Sequence, residues 1–464
     1  MLLSQPASKP SLALILLLAM AGTSWSNDGQ LTYPPQQPGY YPSVPQVQRQ
    51  QPFQNLPPGS TRRVLPDGRI AIITPFTEKQ KRELRQLKAE RVRIRETRTR
   101  ELAAQGENAD VFPRLAGEFE KQKAIVISIS DWQSHHFDVL FELIEKTRGR
   151  VGILVLYNDK KRGATQSQFE QVISRLARTG RDYPHLRFYK TNLDTIWLRD
   201  FGPRLAQAQD GKPIVVDFFY DSTRSRDDQL PETWANMTGT AHNLVPWSLQ
   251  GGNLLANGRG LAITTTRLYE GNRIRRPGKS FTQTEVYVKE QLMKFCNIKR
   301  LVVLKPLENE TTRHVDMFAT FLAPNIALVA QVDRRLDPQN ATILDENAKL
   351  LSQFEVAGHP MTVERIWIPP RRGEHWSSYT NVILTDRLVI VPTYKSDSQD
   401  YVQAAVAIYR RLLPDHHVTT IDMSSMEKLG GSLHCLSCSI PSFGKLPAGM
   451  QTFSDAVKMT KAGK

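Results

Sequence analysis

From residue 113 onward, short runs of aliphatic and β-branched residues alternate with longer segments whose apolar positions recur every three or four residues. That change of period, from two to about 3.6, predicts strands alternating with amphipathic helices. Runs at 124–129, 151–156, 214–220, 301–304, 318–332 (broken at Pro324-Asn325), 382–384, 388–391 and 418–421 read as strands. Segments 136–147, 166–178, 341–354 and 402–413 read as helices. Because the alternation continues to the end, the class is α/β or α+β, and an all-β body is excluded. Past Ser442 the residues turn polar and lysine-containing, which predicts a flexible tail over 446–464.

The first hundred residues lack this pattern. Lys9 precedes an uncharged apolar run from Leu12 to Met20, and Ser24 and Ser26 stand where small residues precede a cleavage point. The run is too short to span a bilayer, so residues 1–26 read as a signal peptide and the protein as exported, periplasmic or extracellular. Residues 27–62 are rich in Pro, Gln and Tyr and nearly uncharged, a composition that stays extended and unpacked. Residues 63–110 follow as a hairpin turning at Pro66-Asp67-Gly68 and a charged helix opening at a Thr77/Gln80 capping box. The folded domain then occupies 111–445.

Between Thr77 and Leu102 ten Lys/Arg stand against five Glu. Such a helix reads first as a solvated face laced by i,i+4 ion pairs. The competing reading is an arm for an anionic surface. The whole chain of 464 residues carries a formal charge of +15, which favours acidic partners in general. No specific nucleic-acid partner is expected. With Cys296, Cys435 and Cys438 as the only cysteines, a disulfide scaffold is excluded, since at most one bridge can form.

Chemistry concentrates in five short stretches. LGGSLHCLSC (429–438) offers Cys435 on a glycine-flanked turn, where a sulfur can approach a substrate closely. Alternatively Cys435 and Cys438 form a redox pair, a disulfide or half of a zinc site. WLRDFGP (197–203), QGGN (250–253), HVD (314–316) and YTN (379–381) precede it. Counted from Trp197, Gly251, His314, Tyr379 and His434, the steps are 54, 63, 65 and 55 residues. So even a spacing suggests a repeated unit that delivers one loop to a common centre. Singly, each stretch has a structural explanation: a core histidine, a tight bend, an Arg–Asp pair within WLRD.

Together they supply a thiol, a histidine and two carboxylates, Asp200 and Asp316. Two carboxylates beside one thiol oppose its ionisation, a poor arrangement for attacking an amide. They suit a cationic substrate, because a planar guanidinium presents donors on both sides. Thiolate attack on its central carbon, with a histidine moving protons, would hydrolyse a guanidine to a urea and ammonia.

These five motifs, in this order, resemble the signature set of the bacterial-type peptidylarginine deiminase and agmatine deiminase family over roughly residues 113–442. The resemblance implies a five-bladed α/β propeller of ββαβ units around a central site. It implies Cys435 as nucleophile, His314 as acid and base, and Asp200 and Asp316 as guanidinium ligands. Asn381 would stand near the nucleophile, while Trp197, Gly252 and Asn253 would line the pocket. No metal or organic cofactor is implied. DFFYDSTRSRDDQLP (217–231) is more similar to the peptidylarginine branch, in which two arginines of this loop grip the substrate carboxylate. Arg224 matches one; Ser222 replaces the other, with Arg226 available beside it. The expected substrate is therefore an arginine, peptidyl or free, with agmatine as the alternative. The remaining alternative is a non-catalytic exported protein that binds polyanions through its basic helix.

Overall fold

The structure is a computed structural model that describes residues 61–64, 70–73, 77–104, 112–130, 136–158, 167–220, 224–275, 281–373, 375–426 and 429–462. It divides into two compact units, Met1–Arg85 and Gln86–Lys464. The expected signal peptide and all but the last two residues of the expected linker lie outside the described residues, as does the Pro66-Asp67-Gly68 turn. In the first unit, Thr61–Val64 pairs antiparallel with Ile70–Ile73, Val64 opposite Ile70, so the hairpin forms and takes in residues 61 and 62. A helix over Glu78–Ala104 begins one residue after Thr77 and crosses the division between the units. Among the described residues no helix is long and apolar enough to cross a membrane.

Among the described residues the second unit holds five sheets built on one plan, besides a two-stranded ribbon of Glu355–Val356 and His359–Pro360. In each of the five, an antiparallel pair is followed by a parallel neighbour. Arg204–Gln207 runs against Pro213–Phe219, which pairs parallel with Ala241–Ser248. The same sequence of pairings joins Leu255–Ala256, Leu261–Thr265 and Arg300–Leu304. It recurs in Ala319–Ala323, Ile326–Gln331 and Thr362–Trp367, and again in Ile383–Leu384, Leu388–Thr393 and His417–Asp422. In the fifth sheet, Cys438–Pro441 runs against Gln122–Ile129, which continues in parallel to Gly152–Tyr157 and Leu186–Lys190.

A parallel neighbour demands a crossover connection, and helices supply it. Phe137–Lys146 buries Val139, Leu140, Leu143 and Ile144, the i, i+1, i+4, i+5 stripe of an amphipathic helix. Gln168–Ala177 starts at a full capping box, in which Ser167 and Glu170 satisfy each other's backbone N–H. Its Phe169 stacks on Tyr157 at 3.8 Å, fixing helix to strand.

Every strand and helix expected from periodicity forms, most within three residues of the expected ends. Two expectations fail. The predicted flexible tail is ordered: Gln451–Thr452 pairs with Arg187–Phe188, and Phe453–Ala462 is a helix. Its Phe453 and Ala456 are buried, Phe453 edge-on against Tyr183, so one apolar turn suffices to dock an otherwise polar segment. The basic helix is also not simply a solvated face. Among its described side chains Lys81–Glu78 and Arg93–Glu90 pair at i,i+3, and Arg95 is buried against the body.

The five motifs occupy equivalent places in this plan. Each lies on the connection that leaves the last parallel strand of one sheet and enters the first antiparallel strand of the next. Trp197–Asp200 falls between Leu186–Lys190 and Arg204–Gln207, and Gly251–Asn253 between Ala241–Ser248 and Leu255–Ala256. His314–Asp316, Tyr379–Asn381 and His434–Cys435 fall likewise between their strands. The even spacing of the sequence is the length of one sheet.

Candidate active site

The turn that presents the thiol is shaped by backbone constraints. Gly430 has a positive φ of 71°, and a Cβ on Gly431 would lie 2.2 Å from the Trp197 ring. The indole therefore packs directly on bare backbone, which is how Trp197 reaches the site. Two residues past Ser432, the backbone N–H groups of His434 and Cys435 both donate to Asn381 Oδ1, at 2.9 and 3.3 Å. Asn381 Nδ2 lies 3.4 Å from Cys435 Sγ. One fully buried asparagine thus fixes both the turn and the sulfur.

Two carboxylates approach from other sheets. Asp316, on the short 3-10 turn Val315–Met317, places Oδ2 3.8 Å from Cys435 Sγ and 2.7 Å from His434 Nδ1. Its other oxygen, Oδ1, is buried with no hydrogen-bond partner among the described residues. Asp200, on the four-residue helix Leu198–Phe201, accepts the Gly252 N–H at 3.1 Å and lies 3.7 Å from His314 Nδ1. A Cβ on Gly252 would stand 2.8 Å from Asp316 Oδ2 and 2.9 Å from His314 Nδ1, so no other residue fits between these groups. His314 Nε2 meets Gln250 Oε1 at 2.7 Å. With Nε2–H donated to Gln250, Nδ1 is left toward Asp200 as the position for a mobile proton.

The electrostatics follow from burial and like charge. Burial, then Asp316 and Asp200, push the Cys435 thiol well above its ordinary value, so the free thiol stays protonated at neutral pH. Burial likewise raises the Asp200 carboxyl, with His314 working against it and Asp316 adding to it.

A second layer was not foreseen in the sequence. His434 Nε2 meets Glu118 Oε2 at 2.8 Å, and Glu118 Oε1 pairs with Arg199 Nη1. Arg199 also donates Nε to the His434 carbonyl at 3.3 Å. Arg199 therefore pairs with Glu118 rather than with its neighbour Asp200, which overturns the local Arg–Asp pair. Burial and Arg199 oppose a proton on His434, yet Glu118 and Asp316 on its two nitrogens hold its pKa above the ordinary imidazole value overall. Burial also works to raise the Glu118 carboxyl, but Arg199 and His434 hold it far below the usual carboxylate range.

The remaining expected residues divide. Asn253 Oδ1 accepts from Thr265 N, Thr265 Oγ1 and Val315 N at 3.2, 3.0 and 3.2 Å, which makes it a brace between the GGN and HVD segments rather than a free ligand. Arg224 donates to the Tyr220 hydroxyl at 2.6 Å, and its charge acts on Asp200. Arg226 lies instead near Asp194, 3.9 Å from its carboxylate, and is not gathered to the carboxylate pair. Ser222 lies outside the described residues. Cys435 and Cys438 are free buried thiols, and Cys438 faces the Pro203 carbonyl at 3.6 Å. Among the described residues no three His, Cys, Asp or Glu side chains group as a metal site.

Residues 114–441 match the family model of the Porphyromonas-type peptidyl-arginine deiminases. The agmatine deiminase of Stutzerimonas stutzeri is 25% identical over 300 residues, covering 57% of this chain and 79% of that protein. The solved agmatine deiminase of Enterococcus faecalis has a TM-score of 0.57 at 20% identity, over 71% of this chain and 96% of that one. That of C. jejuni gives 0.55 at 20% identity, over 70% and 95%. At these identities the structural likeness establishes a shared α/β fold.

Proposed function

Because this chain belongs to the Porphyromonas-type peptidyl-arginine deiminase family, guanidino-group deiminases that hydrolyse C–N bonds, we propose that it converts an arginine guanidinium, peptidyl or free, into a ureido group. The observation that carries this reading is the meeting of two carboxylates, Asp316 buried and Asp200 half-buried, with one protonated thiol, one carboxylate oxygen unpartnered. A guanidinium between Asp200 and Asp316 would satisfy that oxygen and cancel the charges that hold the proton on sulfur.

In this reading the bound cation lowers the thiol pKa, Cys435 passes its proton to His314, and Sγ attacks the central guanidinium carbon. The tetrahedral centre collapses as His314 delivers a proton to the departing nitrogen, releasing ammonia and leaving a thiouronium on sulfur. His314 then takes a proton from water and the hydroxide adds to the same carbon; the C–S bond breaks, the added hydroxyl gives up its proton to the released ammonia to leave the ureido product, and His314 returns its proton to the thiolate. Asn381, at 3.4 Å from sulfur, steadies the thiolate between steps. We further propose that the five sheets close around this centre as the blades of a propeller, a reading supported by their common pairing order. Export is proposed from the apolar run Leu12–Met20.

Agmatine is the second reading, favoured by the names of the relatives. An assay for ureido product over agmatine, free arginine, internal arginine peptides and C-terminal arginine peptides separates the two. Preference for an arginine substrate supports the proposal, and turnover of agmatine alone would replace it. Folded protein that turns over none of them would leave the polyanion-binding reading, tested by salt-sensitive binding that survives Cys435→Ala.

A further inference from the structure

We propose that Arg95, on the basic helix preceding the family-matched region, is a positioning residue that braces the loop carrying Arg224 against the segment carrying Asp200. This rests on the reading of 217–231 as the substrate loop.

Arg95 is buried where two parallel strands meet that loop. Its Nε donates to the Val245 carbonyl at 3.0 Å and its Nη2 to the Asp217 carbonyl at 2.7 Å. Nη2 also pairs with the Asp217 carboxylate, and Nη1 lies 3.7 Å from Asp228 Oδ1. Asp217 and Val245 belong to the paired strands Pro213–Phe219 and Ala241–Ser248, so one guanidinium ties both strands at the point where the loop departs. His242 holds the other Asp217 oxygen at 2.9 Å. Only a planar fork of donors can serve two carbonyls and two carboxylates at once.

From this node the contacts pass along the loop to the site. Asp228 Oδ1 accepts the Tyr220 N–H at 2.6 Å, and the Tyr220 hydroxyl takes the Arg224 guanidinium. On its far side the loop is tied to the segment that leads into Trp197 and Asp200. There Asp227 accepts from Asp194 N at 2.7 Å and from Thr195 N and Oγ1 at 3.3 and 2.7 Å, while Arg226 N donates to Asp194 Oδ2 at 2.9 Å. Three residues along the basic helix, Arg98 pairs with Glu232 on the helix that follows the loop, Leu230–Thr238. The loop is thus held from both sides, and the outer hold is supplied by residues outside 114–441.

The test compares the full-length wild type with Arg95→Met, Arg95→Lys and Arg98→Met by hydrogen exchange and steady-state kinetics. Arg95→Met is expected to speed exchange at Tyr220 and 224–228 by about tenfold or more, and to raise KM about tenfold with kcat within about twofold. Arg95→Lys should fall between, and Arg98→Met should do less. Unchanged exchange in that loop, or a lowered Tm with unchanged KM and exchange, would overturn the proposal. If Arg95→Met does not fold, Arg95→Lys decides by the same exchange readout. A wild type without turnover would sink the deiminase reading, while loop exchange would still decide the role of Arg95.

Discussion

The body treats its buried and half-buried carboxylates in two contrasting ways. At the docking node, Asp217 is met by Arg95 and His242, and in the layer behind the thiol Glu118 is met by Arg199 and His434. At the thiol, Asp200 has one backbone N–H and a histidine 3.7 Å away, and Asp316 is partnered on one oxygen only. Where the fold needs a buried carboxylate it brings its own cation. At the thiol one Asp316 oxygen and most of the Asp200 carboxylate are left open, which is where the proposed reading puts the substrate cation. Carboxylates left under-partnered in or near the interior are unfavourable for folding, which favours a functional reading of the second arrangement.

The sharpest way to break this contrast is to remove the groups proposed to act on the cation. Cys435→Ala should lower ureido formation by about 10⁵ or more, and His314→Ala by about 10³, measured as product release from the best substrate. Retained turnover in either sinks the mechanism.

Next in size is the contrast between the carboxylates themselves. Asp200→Asn should cut kcat/KM by about 10³ while leaving Tm unchanged or raised, because it removes a poorly compensated, half-buried charge. Asp217→Asn should do the reverse, costing about 3 kcal/mol of stability by unpairing Arg95, with a far smaller effect on turnover. The raised Asp200 carboxyl binds its proton more tightly folded than unfolded, so its contribution to stability falls as pH rises above the unfolded value. Asp200→Asn should flatten that part of the stability profile. If both variants lose stability equally, the two classes of carboxylate are not distinct.

The smallest expected effect concerns Glu118. Its depressed carboxyl makes the unfolded chain the stronger proton binder, so its contribution is present above the unfolded carboxylate value and is lost as pH falls through its folded one. Glu118→Gln should cost about 3 kcal/mol at neutral pH and show a shallower acid loss, read by denaturant unfolding across pH. A variant with an acid limb as steep as the wild type would place the acid sensitivity elsewhere.

Much of this was legible in the sequence, and unevenly so. Strands with aliphatic runs, such as 124–129 and 388–391, declare themselves because both faces are covered. Arg204–Gln207 and Ala241–Ser248 do not, since their strand character comes from pairing with a neighbour rather than from composition. The tail helix was hidden because its docking rests on Phe453 and Ala456 against an otherwise polar segment. At the site, the motifs could be read because reactive residue types recur at even spacing, with the thiol on a glycine-flanked turn. Glu118 could not, lying in an unremarkable AGEFE stretch 316 residues from its partner His434. Arg95 is one of ten basic residues on its helix, and its burial, not its place in the sequence, is what marks it.

The central claim is that Asp200 and Asp316 form a site for an external guanidinium. It is tested most directly by titrating the Cys435→Ala protein, which cannot turn over, with an arginine peptide and with its neutral citrulline counterpart. The arginine peptide should bind at least about tenfold tighter, the worth of one charge-assisted pair, and Asp316→Asn in the same background should erase the difference. Equal affinity for the two peptides, or selectivity that survives loss of the Asp316 charge, would contradict it.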